Sequence, residues 1–147
     1  MAQKLKDKSA VITGGGSGGI GRAVALAMAA EGAKVVVNDI GRNTDGKMIA
    51  DEVVAEITKN NGIAVANYDS VVTLEGGEKI IRTAIDNFGR IDILVNCAGN
   101  KPSRSTLDMT DDEWNSVLNV HLKGHFSCIK AALPSMIQQK AGAIVNL

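Results

Sequence analysis

The stretch Thr13 to Gly21, TGGGSGGIG, places six glycines between a short apolar run and an alanine-rich one. Upstream, Ser9 to Thr13, with Ala10, Val11 and Ile12, reads as a short buried strand; downstream, Ile20 to Glu31 reads as a helix packed on it. A tight strand-to-helix turn needs backbone angles that side chains forbid. A phosphate, likewise, reaches the free N–H groups of a helix start only where no side chain intervenes. The pattern G-x-G-x-x-G fits twice, as Gly14, Gly16, Gly19 and as Gly16, Gly18, Gly21, so the register stays open. The surroundings suit a dinucleotide-binding unit: a second apolar run spans Ala33 to Val37, and Asp39 follows at about the 20-residue interval such units use.

Working outward, the same alternation continues. Lys47 to Asn60 carries Ile49, Val53, Val54 and Ile57 at helical spacing and is stopped by Asn61-Gly62. Ile63 to Tyr68 is a third strand-like run, Leu74 to Phe88 a helix ending at Gly89, and Ile91 to Val95 a fourth strand leading into NCAG. Thr110 with Glu113 spells a capping box, and the stretch to Lys140 is long enough for two helices or one broken helix. Ala143 to Leu147 reads as a fifth strand. Strands joined through helices pair in parallel and cross right-handedly. The expected fold class is therefore α/β, a Rossmann-type doubly wound parallel sheet, in a single domain that stops after its fifth strand. Ligands of such sheets bind at the carboxyl ends of the strands, where Gly14 to Gly21, Asp39, Asp69 and Asn96 to Gly99 all fall.

Composition bounds the partners. The 147 residues are 45% apolar, enough for a core, and sixteen basic residues balance sixteen acidic ones. No broad field recruits nucleic acid or an anionic membrane. The longest apolar stretch, Ala23 to Ala30, falls far short of a bilayer span, and MAQKLKDKSA has no apolar signal segment, so the expectation is a soluble, cytoplasmic protein. Cys97 and Cys128 lack metal-ligand or redox spacing and read as free thiols. His121 and His125, four apart, have no third ligand beside them and read as surface or packing histidines, with no metal site. Trp114, Phe126 and Met136 read as core or subunit contacts.

TGGGSGGIG, VVVND, the aspartate of NYDS, NCAG and the asparagine of NVHLKG, in that order and spacing, resemble the short-chain dehydrogenase/reductase family across the whole chain. Within it, VVVNDIG, VANYDSV, FGRIDILVNCAG and VHLKGHF are similar to the (3R)-hydroxyacyl-CoA dehydrogenase portion of peroxisomal multifunctional enzymes and to bacterial relatives. The resemblance implies that Gly14, Gly16, Ser17, Gly19, Ile20 and Gly21 hold the cofactor's pyrophosphate. The family's usual spelling has one residue fewer after Gly14, which leaves open which glycine touches phosphate. Asp39 would accept hydrogen bonds from the adenosine ribose and repel a 2′-phosphate, favouring NAD over NADP, unless Arg42 pairs with such a phosphate. Asp69, with Ser70 and Val71 beside it, resembles the aspartate that binds the adenine amino group; as residues alone, Asp39 and Asp69 also read as strand-end turn residues. Asn96 resembles an asparagine that braces the central strands, Ala98 and Gly99 let the cofactor approach the backbone, and Cys97 stands where the family often has a second asparagine. Asn119 resembles the helix asparagine that holds a water in the family's proton relay.

The family's chemistry needs a tyrosine as general acid/base, a lysine four residues later and a serine that stabilises the reacting oxygen. The one tyrosine is Tyr68, in the adenine half, and four residues on stands Val72. The expectation is thus the cofactor-binding half of an NAD-dependent oxidoreductase acting on an alcohol or ketone, cut short after a strand whose Ile144 and Val145 form an apolar edge. A catalytically silent nucleotide-binding or subunit-partner protein is the alternative. By the same resemblance it assembles as a homo-oligomer, a dimer or tetramer.

Overall fold

Runs of β-branched and small apolar residues alternate with amphipathic segments, and each run becomes a strand flanked by helices. The elements are β1 (Ser9–Thr13), α1 (Ile20–Ala30), β2 (Lys34–Asn38), α2 (Ile49–Lys59), β3 (Ile63–Asn67), α3 (Leu74–Phe88), β4 (Ile93–Asn96), α4 (Asp111–Leu118), a π-helical turn (Asn119–Lys123), α5 (Gly124–Gln139) and β5 (Ala143–Asn146). In this computed structural model, which describes residues 3–147, the five strands form one parallel sheet in the order β3-β2-β1-β4-β5. Among the described residues no helix is long and apolar enough to cross a membrane.

The three central strands, β2, β1 and β4, are buried on both faces, which is why they read as continuous apolar runs. Side chains alternate across it. Ala10, Ile12, Val35, Val37 and Val95 pack with Ala25 and Ala29 of α1 and Val53 and Ile57 of α2. Val11, Val36 and Leu94 face the other way, onto Ile80, Ile81 and Ala84 of α3 and Cys128, Ala132 and Met136 of α5. The sequence order runs outward from β1 to β3, then crosses back to β4, so the topological switch lies at β1. Val145 on the outer strand β5 is 45% exposed.

Several elements differ from the sequence reading by one residue at an end, and three features differ by more. Helix α2 begins at Ile49 rather than Lys47, because residues 41–48 fold back on themselves. Asn43 Oδ1 accepts from the Asp45 and Lys47 amides, and Arg42 bridges to Met48. Strand β4 begins at Ile93 rather than Ile91, and Asp92 at its entry bonds through its backbone to Ser9 and Ala143 while its side chain anchors a network. Its carboxylate accepts from the Ser9 amide at 3.0 Å and from Arg90 Nε at 2.8 Å, with Lys8 at 3.5 Å. Burial alone would push its pKa up; the Arg90 guanidinium, the Ser9 amide and Lys8 together hold it below the usual carboxylate value. The stretch from Thr110 to Lys140 is one unbroken helical run. The capping box opens it, with Glu113 N donating to Thr110 Oγ1 at 3.2 Å and Thr110 N to Glu113 Oε2 at 2.9 Å. The π-helical turn absorbs the irregularity that the sequence suggested as a break.

Candidate functional site

Each strand ends in a polar residue, and the parallel register sets these ends in one row. Thr13 pairs with Asn38 and Asn96, Asn38 with Asn67, and Asn96 with Asn146. The row terminates the apolar core and floors the crevice at the switch point, where open α/β sheets bind ligands. Thr13 Oγ1 accepts from both Cys97 N and Ala98 N at 3.1 Å, tying the NCAG loop to β1. Asn96 Nδ2 donates to Asn146 Oδ1 at 2.8 Å, a brace between β4 and β5.

Above this floor lies a cleft of about 230 Å³. Of the residues expected at the site, Gly14, Ser17, Asp39, Asp69, Ser70, Ala98 and Gly99 line it. Gly14 is tight there for a physical reason: its φ is +64°, and a Cβ would lie 2.8 Å from the Ala98 Cα. Gly21 lies beneath the turn, where a Cβ would press into the Gly14 carbonyl. Gly16, Gly19, Ile20, Asn96 and Asn119 do not line the cleft. Gly19 is the residue before α1, and Ile20 opens that helix with 65% of its surface exposed. Asn119 is exposed at the start of the π-helical turn, its carbonyl accepting from Gly124 N.

The acid and the glycine turn are in direct contact. Asp39 Oδ2 accepts from Gly16 N at 3.0 Å and Ser17 N at 3.2 Å, and Oδ1 accepts from Gly41 N at 2.9 Å. Gly15 N is spent on the Asn38 carbonyl at 2.9 Å. The amides of Gly15, Gly16 and Ser17 therefore hold the turn to β2. Those of Gly18 to Gly21, at the start of α1, belong to the positive end of the helix dipole.

Sequence reasoning missed several wall residues. Asn38, Ile40, Val72, Asn100 and Val120 line the cleft together with Cys97 and with Val71, which the sequence placed beside Asp69. Burial pushes the Cys97 thiol pKa up, so it behaves as a packing group. His121, read as surface or packing, holds the loop beyond NCAG: its Nε2 lies 2.9 Å from the Asn100 carbonyl oxygen and 3.1 Å from the Asn100 amide nitrogen, and its tautomer decides which of the two it bonds. Asn38, Asn67 and Asn96 close the apolar runs VVVN, AVAN and LVN, and the strand register is what sets them side by side.

The geometry agrees with what known proteins share with this chain. A family model described as short chain dehydrogenase matches residues 8–147. The peroxisomal hydratase-dehydrogenase-epimerase of Saccharomyces cerevisiae is 53% identical over 146 residues, which cover 97% of this chain and 16% of that protein. The peroxisomal multifunctional enzyme type 2 of Mus musculus is 47% identical over 150 residues, covering 99% of this chain and 20% of its own. Their names bear out the narrower similarity read from VVVNDIG and VANYDSV. The crystal structure of a short chain dehydrogenase from Mycobacterium avium superposes with a TM-score of 0.88 at 40% identity, over 97% of this chain and 54% of that one. This chain thus spans a fifth or less of those two relatives and about half of the solved structure. By sequence, sheet order and site, the chain belongs to the short-chain dehydrogenase family.

Proposed function

We propose that the cleft binds NAD and that the chain is the cofactor-binding portion of an oxidoreductase. The reaction we assign interconverts a secondary alcohol, of the 3-hydroxyacyl thioester class, and its ketone. The observation that carries this reading is the contact between Asp39 and the glycine turn at the switch of the sheet. Two features of the wall fit such a group. Gly14, with its φ of +64°, lets the turn close onto the Ala98 backbone and so join the wall of the cleft, and Asn100 Oδ1 is buried without a hydrogen-bond partner. Ser17 and the amides of Gly18 to Gly21 would hold the pyrophosphate, Asp39 the adenosine ribose and Asp69 the adenine amino group. The bound nicotinamide supplies the hydride acceptor or donor. Arg42, the residue that could favour a 2′-phosphate, donates to the Gly46 carbonyl at 2.7 Å within its own loop, which supports NAD over NADP.

Proton transfer needs a group poised near the working pH. Tyr68 is not one. Its hydroxyl donates to Asp51 Oδ1 at 2.5 Å, and that hydrogen bond, with burial and the Asp51 charge, raises its pKa. Asn119 is assigned the water of a proton relay. Calorimetry on the 147-residue chain is expected to show NAD binding, weaker NADP binding and, by absorbance, no NADH from secondary alcohols. Absence of NAD binding, or turnover above background, defeats the assignment. The same tyrosine favours the second reading, a silent nucleotide-binding partner; turnover by the native protein containing this sequence separates the two.

We further propose a homo-oligomer formed through α4 and α5. Trp114, Leu118, Leu122, Phe126, Leu133 and Ile137 are exposed and recur mostly four apart along one helical run. A contiguous apolar row of this kind marks an association surface. The double variant Leu122→Asp, Phe126→Glu is expected to sediment as a monomer with an unchanged far-UV spectrum. Identical sedimentation of variant and wild type would remove the proposal.

A further inference from the structure

The residue that governs Asp69 lies two positions before it. The Asn67 side chain, 7% exposed, uses every hydrogen-bonding position an amide has. Its Oδ1 accepts from Asn38 Nδ2 at 2.9 Å and from Asp69 N at 3.0 Å. Its Nδ2 donates to Asp69 Oδ2 at 2.9 Å and to Thr83 Oγ1 at 3.0 Å. Only one orientation of the amide works. Reversed, its NH2 group would face the Asn38 NH2 group and the Asp69 N–H, and its oxygen would face a carboxylate. Thr83 is itself fixed, because its hydroxyl donates to the Lys79 carbonyl at 2.9 Å and so turns a lone pair to Asn67. Asn38 completes the set by donating to the Asp69 carbonyl at 2.9 Å. Asp69 is thereby held at its amide, its carbonyl and one carboxylate oxygen. Among the described residues no hydrogen bond is made to its other oxygen, Oδ1, and Asp69 lines the cleft.

We infer that Asn67, supported by Asn38 and Thr83, is a positioning residue that presents the Asp69 carboxylate as a fixed acceptor and so selects a 6-amino purine over a 6-oxo purine. This rests on the reading above that Asp69 meets the adenine. A carboxylate accepts only. An amine at C6 donates to it, whereas an oxygen at C6 sets acceptor against acceptor. A site built to pair with a donor discriminates strongly only if its acceptor cannot turn away. The four bonds of Asn67 are what prevent that turn.

The test is calorimetry with NAD and with nicotinamide hypoxanthine dinucleotide, on wild type, Asn67→Ala, Thr83→Val and Thr83→Ser. Wild type is expected to prefer NAD by about tenfold or more, the scale of one hydrogen bond to a charged acceptor. Asn67→Ala is expected to cut that preference to within about threefold while its affinity for the hypoxanthine form changes less than about threefold, a small fraction of the affinity scale. Thr83→Val, which keeps Asn67 and Asn38 and so decides the matter if Asn67→Ala does not fold, is expected to give an intermediate loss that Thr83→Ser restores. Full retention of the preference in a folded Asn67→Ala or in Thr83→Val overturns the inference, as does an equal loss of both dinucleotides. Wild type that binds both dinucleotides equally overturns instead the placement of adenine at Asp69, and the inference with it.

Discussion

Replacing Asp39 with alanine is expected to weaken NAD binding by roughly a hundredfold, which corresponds to about 2.7 kcal/mol. Two losses combine. The variant removes the proposed acceptor for the ribose hydroxyls, and hydrogen bonds to a charged group are each worth about 1.5–3 kcal/mol. It also frees the Gly16, Ser17 and Gly41 amides, which the carboxylate holds at 3.0, 3.2 and 2.9 Å. The turn then has to be ordered at the moment of binding, a cost that preorganisation spares the wild type. NADP should suffer less, because the variant also abolishes the repulsion between Asp39 and a 2′-phosphate, so the preference for NAD collapses. Asp39→Asn keeps one oxygen for the amides and is expected to lose about tenfold, since a neutral acceptor is roughly half as strong. Calorimetry with both dinucleotides and a thermal melt separate the roles. A lowered melting temperature with unchanged NAD affinity would reduce Asp39 to a brace for the turn.

The strands and the first three helices were legible because glycines, β-branched runs and helical spacing are local signals, and here local and global preferences agree. Asp39 was legible for the same reason: its interval from the glycine turn fixes it at the end of β2. The amide row was not. A single asparagine at the end of an apolar run looks like any turn residue. Only the register that aligns Asn67, Asn38, Thr13, Asn96 and Asn146 gives the row its meaning. The continuity of α4 and α5 escaped for another reason, since a π-helical turn adds one residue to a loop of backbone and leaves no compositional mark. The two glycine registers could not be separated by spelling. The Asp39 carboxylate holds the amide of Gly16, which both registers share, and what differs among the glycines of the turn is the room around each.

The glycines of the turn should therefore divide sharply on substitution, and Gly21→Ala is the variant in which two effects of opposite sign compete. Gly21 lies inside α1, where alanine is intrinsically favoured over glycine by about 1 kcal/mol. Against that, its Cβ would press into the Gly14 carbonyl oxygen, 2.9 Å from the Gly14 carbonyl carbon and 3.2 Å from the Gly15 Cα. These are backbone atoms of the turn itself and cannot swing aside as a side chain would. Relief requires α1 to shift from β1, which opens the packing of Ala25 and Ala29 against Ala10 and Ile12. Overpacking of this kind costs about 3 kcal/mol, more than propensity returns. The net loss is expected to lower the melting temperature by roughly 5–10 °C for a chain of this size. Gly18→Ala is the control. A Cβ there meets nothing within 4 Å, so its melting temperature should stay within about 2 °C of wild type, as for an ordinary surface change. Equal melting temperatures for the two variants would mean that the helix start yields without cost, and the close packing of α1 on the turn would then contribute nothing measurable to stability.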